Sequence, residues 1–513
     1  MRSRCQMTPK DMRSNSKVSA AISLGIVLVT ASAAVAVTDP GARFHPASIS
    51  AVSSSPQTAS GLTRSGRWFL YNGAYVYLAG IDAQELVADP AYDSTAVLDK
   101  LQAYRINKLR IWIDAWFGGP GYLRPWHYDG QTGRFDLDTW NDAYWDRLQA
   151  FAAAAWARDI IIEASIFDAY PRDADPDGWW LSPRFRQAWN KAFNSNGAFS
   201  TNLAGHFYPD FYSLDGSERS SSGKTLYEYQ QALVDKVIGT FAQFPNVYYE
   251  IDNEFPGNDT LRHADVYSWQ LYWAWYVRQR SGKLVDVHAG GDRGGPTGGV
   301  QLYWDQPYVD GIDFHLYEQI PDTISSLLHD AQRKGKILQC NESYGWYSNN
   351  AVDMERTDNA TREAWAWFVS GGYYAFFNGH RTQYTGWETM ASRIKVLRDL
   401  VDQVQWWRMS PVDRSGREYD GLASQGPTRH WQILADPGSQ YVVYYWNDGS
   451  DERGTRDARM RLPHGEYRYR WYDPATGEML SSGTIAGGTG RAAVPAPPAT
   501  WNKAVGVVLF IQR

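Results

Sequence analysis

Two short stretches carry the acids that could do chemistry. VYYEIDNEFPGN, Val247 to Asn258, starts as an apolar strand and then places Glu250, Asp252, Asn253 and Glu254 in close succession. CNESYGW places Glu342 after Asn341, with no other carboxylate nearby. An unpaired charge buried in a strand costs several kcal/mol, so such acids must be paired or put to use. Two carboxyl groups facing each other suit the cleavage of an acetal. One is protonated and assists the leaving oxygen, while the other is ionised and attacks the carbon. A separation of about 5–5.5 Å favours double displacement with retention, and about 6.5–9.5 Å favours inversion. Sharing one partly desolvated site also drives the two pKa values apart, which gives the pair two roles.

Such a pair needs a frame that brings position 254 to position 342. From about 70 to 400, eight apolar runs read as strands: VYLAGID, NKLRIWIDA, DIIIEASIFDA, NVYYEIDNE, KLVDVHAGG, VDGIDFHLYE, KILQCNES and GYYAFFNG. Helical patterns such as TAVLDKLQAYR, NDAYWDRLQAFAAAAWARD, TLYEYQQALVDKVIGTFAQF and LYWAWYVRQRSG lie between them. This alternation predicts an α/β fold, a closed (β/α)8 TIM barrel, rather than an open sheet. No GxGxxG or P-loop follows the first run, which disfavours a nucleotide-binding sheet. Catalytic groups of such barrels project from the C-terminal strand ends. There Arg110 and Asp114 flank the second run, Asn253 and Glu254 end the fourth, His315 and Tyr317 end the sixth, and Glu342 ends the seventh. Glu250 lies deeper and reads as a structural acid, whereas Asp252 shares the parity of Glu254 and is expected to point into the barrel. Asp114 and Trp116, with Asp82, Trp112, His206, His288 and Asp292, are further subsite candidates. The long segment from Tyr170 to Lys224 is expected to wall the cleft.

Composition narrows the partner. Aromatic residues make up 15% of the 513, with 24 Trp and 33 Tyr, so rings are available both for a large core and for stacking on pyranose faces. A formal net charge of −6 and the lack of a dense Lys/Arg face argue against nucleic acid. HExxH is absent, no paired histidine spacing suggests a metal, no GxSxG elbow follows a strand, and no cofactor is implied. Two cysteines, Cys5 and Cys340, exclude a disulfide framework.

The ends of the chain read differently. Residues 1–37 have the form of a signal peptide: a basic start, the apolar VSAAISLGIVLVTASAAVAV, and Ala34-Val35-Ala36 as a small-x-small cleavage site. Secretion is the expectation, with no stable membrane span once the leader is cleaved; an uncleaved anchor is the alternative. Residues 38–65 read as a Ser/Ala/Pro-rich spacer and 66–404 as the barrel. From 405 to 513 the runs HWQILAD, YVVYYWN, ARMRLP, YRYRWYDP, EMLSSGTI and AVGVVLFI predict a small antiparallel β-sandwich, either a sugar-binding module or a cap on the barrel.

EIDNE at the end of the fourth run and a Glu ending the seventh resemble the retaining glycoside hydrolases of clan A, over about 70 to 400. The resemblance implies Glu254 as acid/base, Asn253 as a partner of the sugar 2-hydroxyl and Glu342 as nucleophile. It also implies Arg110 in LRIW as the residue orienting that nucleophile, and His315 and Tyr317 in DFHLYE as site-lining groups. The barrel followed by a sandwich containing YRYRWYDPATGE is loosely similar to the apiosidase-like branch with its collagen-binding-like C-terminal domain. Two features depart from the family pattern. Phe255 separates Glu254 from Pro256, and Trp387, the candidate for the strand-eight tryptophan, lies well past its strand. The substrate expected is a poly- or oligosaccharide. The rivals are a non-catalytic carbohydrate-binding protein on a degenerate barrel and a transglycosylase using the same two glutamates. Sugar, linkage and oligomeric state stay open.

Overall fold

The computed structural model describes residues 61–513 except 115–120, 169–187, 190, 192, 198–210, 215–218, 254–262, 290–300, 316–323, 325–327, 329–334, 344–353, 377–385, 413–422, 429 and 448–455. Eight parallel strands close into a barrel. They are β1 (Ala79–Asp82), β2 (Lys108–Trp112), β3 (Ile161–Asp168), β4 (Val247–Asn253), β5 (Val285–His288), β6 (Gly311–Asp313), β7 (Ile337–Cys340) and β8 (Tyr373–Phe376). Each falls in one of the eight runs read from the sequence, and β8 pairs with β1 to close the ring. Strand residues are buried on both faces, as expected of a parallel sheet covered by helices.

The helices follow the periodic segments. They include α1 (Ser94–Ala103), α2 (Asp142–Trp156), α3 (Leu226–Phe241), α4 (His263–Ser281), a short α5 (Gln301–Trp304), α6 (Met354–Val369) and α7 (Trp387–Val401). Local signals set their starts. Asp93 caps α1 by accepting from the Ala96 amide, and Thr225 and Glu228 form a reciprocal capping box on α3. Among the described residues no helix is long and apolar enough to cross a membrane.

Asn72-Gly73 makes a hairpin turn, with both residues at positive φ (51° and 81°) between Trp68–Tyr71 and Ala74–Tyr75. A further strand, Leu62–Ser65, pairs with Trp68–Tyr71, so structure begins inside the stretch expected to be spacer. Phe69 of this small sheet packs on Tyr248 of β4 and Tyr373 of β8 and closes the N-terminal end of the barrel. A second hairpin, Trp126–Asp129 with Arg134–Trp140, follows β2 and was not expected.

After the 3-10 turn Trp406–Arg408 come β9 (Ser410–Pro411), β10 (Ala423–Gln425), β11 (His430–Asp436), β12 (Gln440–Trp446), β13 (Ala458–Arg461), β14 (Gly465–Tyr472), β15 (Met479–Gly487), β16 (Arg491–Val494) and β17 (Val507–Gln512). They form a six-stranded antiparallel sheet, β9-β11-β12-β17-β14-β15, and a three-stranded one, β10-β13-β16. One face of the larger sheet packs on the smaller through Ile433, Tyr445, Trp471 and Leu509. From its other face Leu434, Val442, Tyr444 and Phe510 join the barrel's own core, and the indole of Trp365 on α6 donates to the Pro474 carbonyl at 3.2 Å. Burial on both faces explains why YVVYYW in β12 is apolar without alternation.

Candidate active site

The polar strand-end residues meet at one buried guanidinium. Arg110 lies in the middle of β2 and has no solvent exposure. Its Nε and one terminal nitrogen both lie 2.8 Å from Oε2 of Glu250 on β4. That second nitrogen also donates to Asn253 Oδ1 at 2.7 Å. The other terminal nitrogen donates to Glu342 Oε1, beyond β7, at 3.0 Å and to Asp82 Oδ2 on β1 at 3.3 Å. One side chain therefore ties together strands one, four and seven, and its planar fork allows several directed bonds at once. Burial alone disfavours its charge, but Glu250, Asp82, Glu342 and Asp313 outweigh that and raise its pKa well above the ordinary value.

Glu342 is held from the other side by His315. Nδ1 of His315 lies 3.8 Å from Glu342 Oε2, and Nε2 lies 2.8 Å from Asp313 Oδ2. Burial pushes the Asp313 carboxyl up, yet the charge and hydrogen bond of His315, with Arg110 and His288, hold it below the usual carboxylate range. His288 packs edge-on against His315, with ring centroids 4.3 Å apart. Burial and the charge of His315 keep His288 well below the ordinary imidazole value.

His288, Asp313 and His315 place ligand-type atoms within 4.8 Å of one another, the metal-type cluster found among the described residues. Two ligands of a tetrahedral zinc stand about 3.3 Å apart. The 2.8 Å contact between Asp313 and His315 is shorter than that and matches an ion pair. The cluster therefore reads as an ion pair beside Glu342, with His288 packed against it.

Beneath this layer the barrel is also polar. Lys108 on β2 donates to Gln339 Oε1 at 2.7 Å and to Asn341, and pairs with Glu163 on β3 at 2.9 Å. Gln339 in turn donates to Glu163 and Asp286, and Tyr248 donates to Gln339 at 3.1 Å. Glycine is required beside two of these groups, because a Cβ on Gly80 would collide with Lys108 and one on Gly311 with Asp286. These interlocked bonds leave the upper layer little room to shift.

The sequence-derived candidates divide by location. Arg110, Asn253, His315 and Glu342 converge. Glu254, Tyr317, Trp116, His206 and Asp292 lie outside the described residues. Asn253 is committed on both sides, since its amide nitrogen also donates to Asp168 Oδ1 at 3.3 Å. Asp114 stands apart, accepting from the Trp189 indole. Glu250 is the structural acid expected. Asp252 departs from its expected direction: it accepts from Tyr212 at 3.2 Å, and Tyr212 packs on Trp269 of α4, outside the barrel. Strict alternation therefore fails after Glu250, because Asp252 faces the helices while its neighbour Asn253 reaches Arg110. Trp387 begins α7, fully buried against Tyr104, and lies away from this site. Asp82 was a weak candidate and proves to be part of the clamp. Asp313 and Asp168 were missed, although charged residues at strand ends were their signal.

Asp114 offers a test of burial. Desolvation pushes its carboxyl up to about 8, against the pull of the Trp189 indole and Arg124. A folded value above the ordinary 3.8 means that the protonated acid stabilises the fold at low pH. That contribution is lost as pH rises through about 8. Asp114→Asn retains an acceptor for the indole. Its Tm should therefore fall less than that of wild type between about pH 5 and about pH 9, with a stability difference of about 1–3 kcal/mol at the alkaline end.

No family model and no curated protein matches the chain. Solved structures do. A glycoside hydrolase family 5 structure from Bacteroides vulgatus ATCC 8482 shares 12% identity with a TM-score of 0.58, covering 88% of this chain and 93% of that one. A candidate glycoside hydrolase from the same strain shares 14% identity with a TM-score of 0.57, covering 90% of this chain and 83% of that one. At these identities the likeness is one of fold, a barrel followed by a β-domain.

Proposed function

We propose that the chain is a secreted retaining glycoside hydrolase of the clan A type, acting on a poly- or oligosaccharide. Glu342 attacks the anomeric carbon while protonated Glu254 assists departure of the leaving oxygen, and Glu254 then deprotonates the water that releases the sugar. The observation that carries this reading is the Arg110 clamp. A guanidinium inside a barrel orients a carboxylate at the end of β7 with one terminal nitrogen and, with the other, the residue just before Glu254. Arg110 and His315 hold the nucleophile aimed, and Asn253 is fixed for contact with the sugar. The leader 1–37 directs export, 66–404 forms the catalytic unit, and 405–513 caps it.

A panel of polysaccharides and aryl glycosides, followed by product mass and anomeric configuration, tests the proposal. Hydrolysis with retention is expected, and first-formed product of inverted configuration would contradict it. Glu254→Ala separates the roles. Glycosides with poor leaving groups should lose about a hundredfold or more in kcat/KM, and those with activated aryl leaving groups far less. Equal losses across leaving groups would sink the acid/base assignment.

A further inference from the structure

We propose that Asp82 is a positioning residue that stays protonated and donates a hydrogen bond to Glu342, holding that carboxylate ionised. The proposal rests on the reading of Glu342 as nucleophile and adds a residue to its support. Three carboxyl groups, Asp82, Glu250 and Glu342, surround the single guanidinium of Arg110, and all four side chains are buried. His315, the other basic group at Glu342, is paired with Asp313. Three carboxylates on one cation leave excess negative charge in a dry site, so the cluster binds a proton.

Geometry places that proton. Glu250 has the shorter contacts, with two nitrogens of Arg110 at 2.8 Å from one oxygen. Asp82 has the longer one, at 3.3 Å. Asp82 Oδ2 is occupied by Arg110 and by Gln84 Nε2, the latter at 3.2 Å, whereas Oδ1 has no N–H directed at it among the described residues. Asp82 Oδ2 and Glu342 Oε1 lie 3.3 Å and 3.0 Å from the same terminal nitrogen of Arg110, so the two carboxyls are neighbours. Two carboxyls can share a hydrogen bond only if one of them carries a proton. Burial and the charge of Glu342 raise the pKa of Asp82, against the opposing pull of Arg110 and His315.

Among the described residues, titratable groups face the cluster from several strands. Arg110 faces Asp82 from β2, Glu342 from beyond β7 and His315 from beyond β6. Glu250 on β4 and Asp313 on β6 face Arg110. His288 on β5 faces His315, and Tyr374 on β8 is bonded to Ser343. In the ground state the Asp82 proton offsets part of the charge on Glu342. In the second displacement it receives the carboxylate that departs from the sugar.

The acid limb of the kcat/KM profile reads the ionisation of Glu342 and carries the test. A neutral donor lowers the pKa of its acceptor, whereas a neighbouring anion raises it. In Asp82→Asn the amide oxygen takes the place of Oδ2 under Arg110 and Gln84, leaving the NH2 to donate to Glu342. In that variant the acid limb should stay where it is in wild type. Asp82→Ala should move the limb up by about one pH unit. A limb displaced downward in both variants would show Asp82 to be an anion and overturn the proposal, as would a limb unmoved in both. Should Asp82→Ala fail to fold, the asparagine variant decides alone, since an ionised Asp82 requires its limb to fall. Labelling of Glu342 by an activated 2-deoxy-2-fluoro glycoside, followed by intact mass in wild type and variants, keeps the two readings distinguishable. Labelled Glu342 with a falling limb removes only the role of Asp82, whereas unlabelled Glu342 in wild type removes the nucleophile itself.

Discussion

Glu342→Ala is expected to lower kcat/KM roughly ten-thousand-fold or more while leaving the fold intact. The side chain is almost wholly buried between Arg110 and His315. Truncation leaves Arg110 with Glu250 as its counter-ion and Asp82 beside it, and opens a space at the anomeric position. Loss of an anion from an anion-rich cluster relieves repulsion, so stability should stay level or rise. A small external anion such as azide can enter that space and attack the sugar of an activated aryl glycoside. Its product has the configuration opposite to that of the hydrolytic product, because only one displacement has occurred. Kinetics with and without azide, and the configuration of the glycosyl azide, check this. Activity retained in Glu342→Ala without azide would remove the assignment.

Arg110→Met should have the largest effect on stability. Methionine fills much of the volume but leaves Glu250, Asp82 and Glu342 without their common cation. Removing one partner from a buried ionic set costs about 3–5 kcal/mol, because the remaining charges lose their compensation and cannot reach water. Chemical denaturation at neutral pH measures the loss. The deficit should shrink as pH falls towards about 5, where the orphaned acids take up protons. Arg110→Lys restores charge but not the fork. It should recover most of the stability and little of the activity, since one ammonium cannot hold Glu342 and Asn253 in register together. A methionine variant as stable as wild type at neutral pH would show that the cluster is already neutral without the guanidinium.

Much of this frame was legible because strand runs and helical periods alternate so regularly. The barrel needs eight apolar segments and found them, and LRIW, EIDN, DFH and CNES each fell at a strand end. The hairpin from Trp126 to Trp140 was hidden because WHYD and RFDLDTW mix charges with aromatics and give no clean period of two. The direction of Asp252 was misread because parity assumes an undistorted strand, and the end of β4 is not one. The partners of Arg110 depended on register, which aligns Asp82 with Arg110 and Arg110 with Glu163 across neighbouring strands. No spacing along the chain encodes that alignment. The abundance of tryptophan also changed meaning. Trp126, Trp189, Trp269, Trp273, Trp365, Trp367, Trp387, Trp406 and Trp471 are fully buried, so these rings build the core and the junction with the β-domain rather than a sugar platform.

The polar lining of the barrel had a visible signal that went unused. KLRIW, IIEASIFD, VDVH and ILQC each carry a charged or amide residue inside an otherwise apolar strand. In a barrel such residues are tolerated only when they meet one another across the axis. The Lys108–Glu163–Gln339–Asp286 network is that meeting. It forms the floor on which the Arg110 clamp rests, and through the clamp it fixes where Glu342 can point.

The most direct test of the central claim is covalent trapping on wild type, with an activated 2-deoxy-2-fluoro glycoside of a sugar that the substrate panel shows to be cleaved. The fluorine slows both displacements, and the activated leaving group restores the first, so the glycosyl-enzyme accumulates. A mass increase of one fluoroglycosyl unit, mapped by peptide sequencing to Glu342, is the predicted result. Steady hydrolysis of that substrate without an adduct, or an adduct on any other side chain, would contradict it.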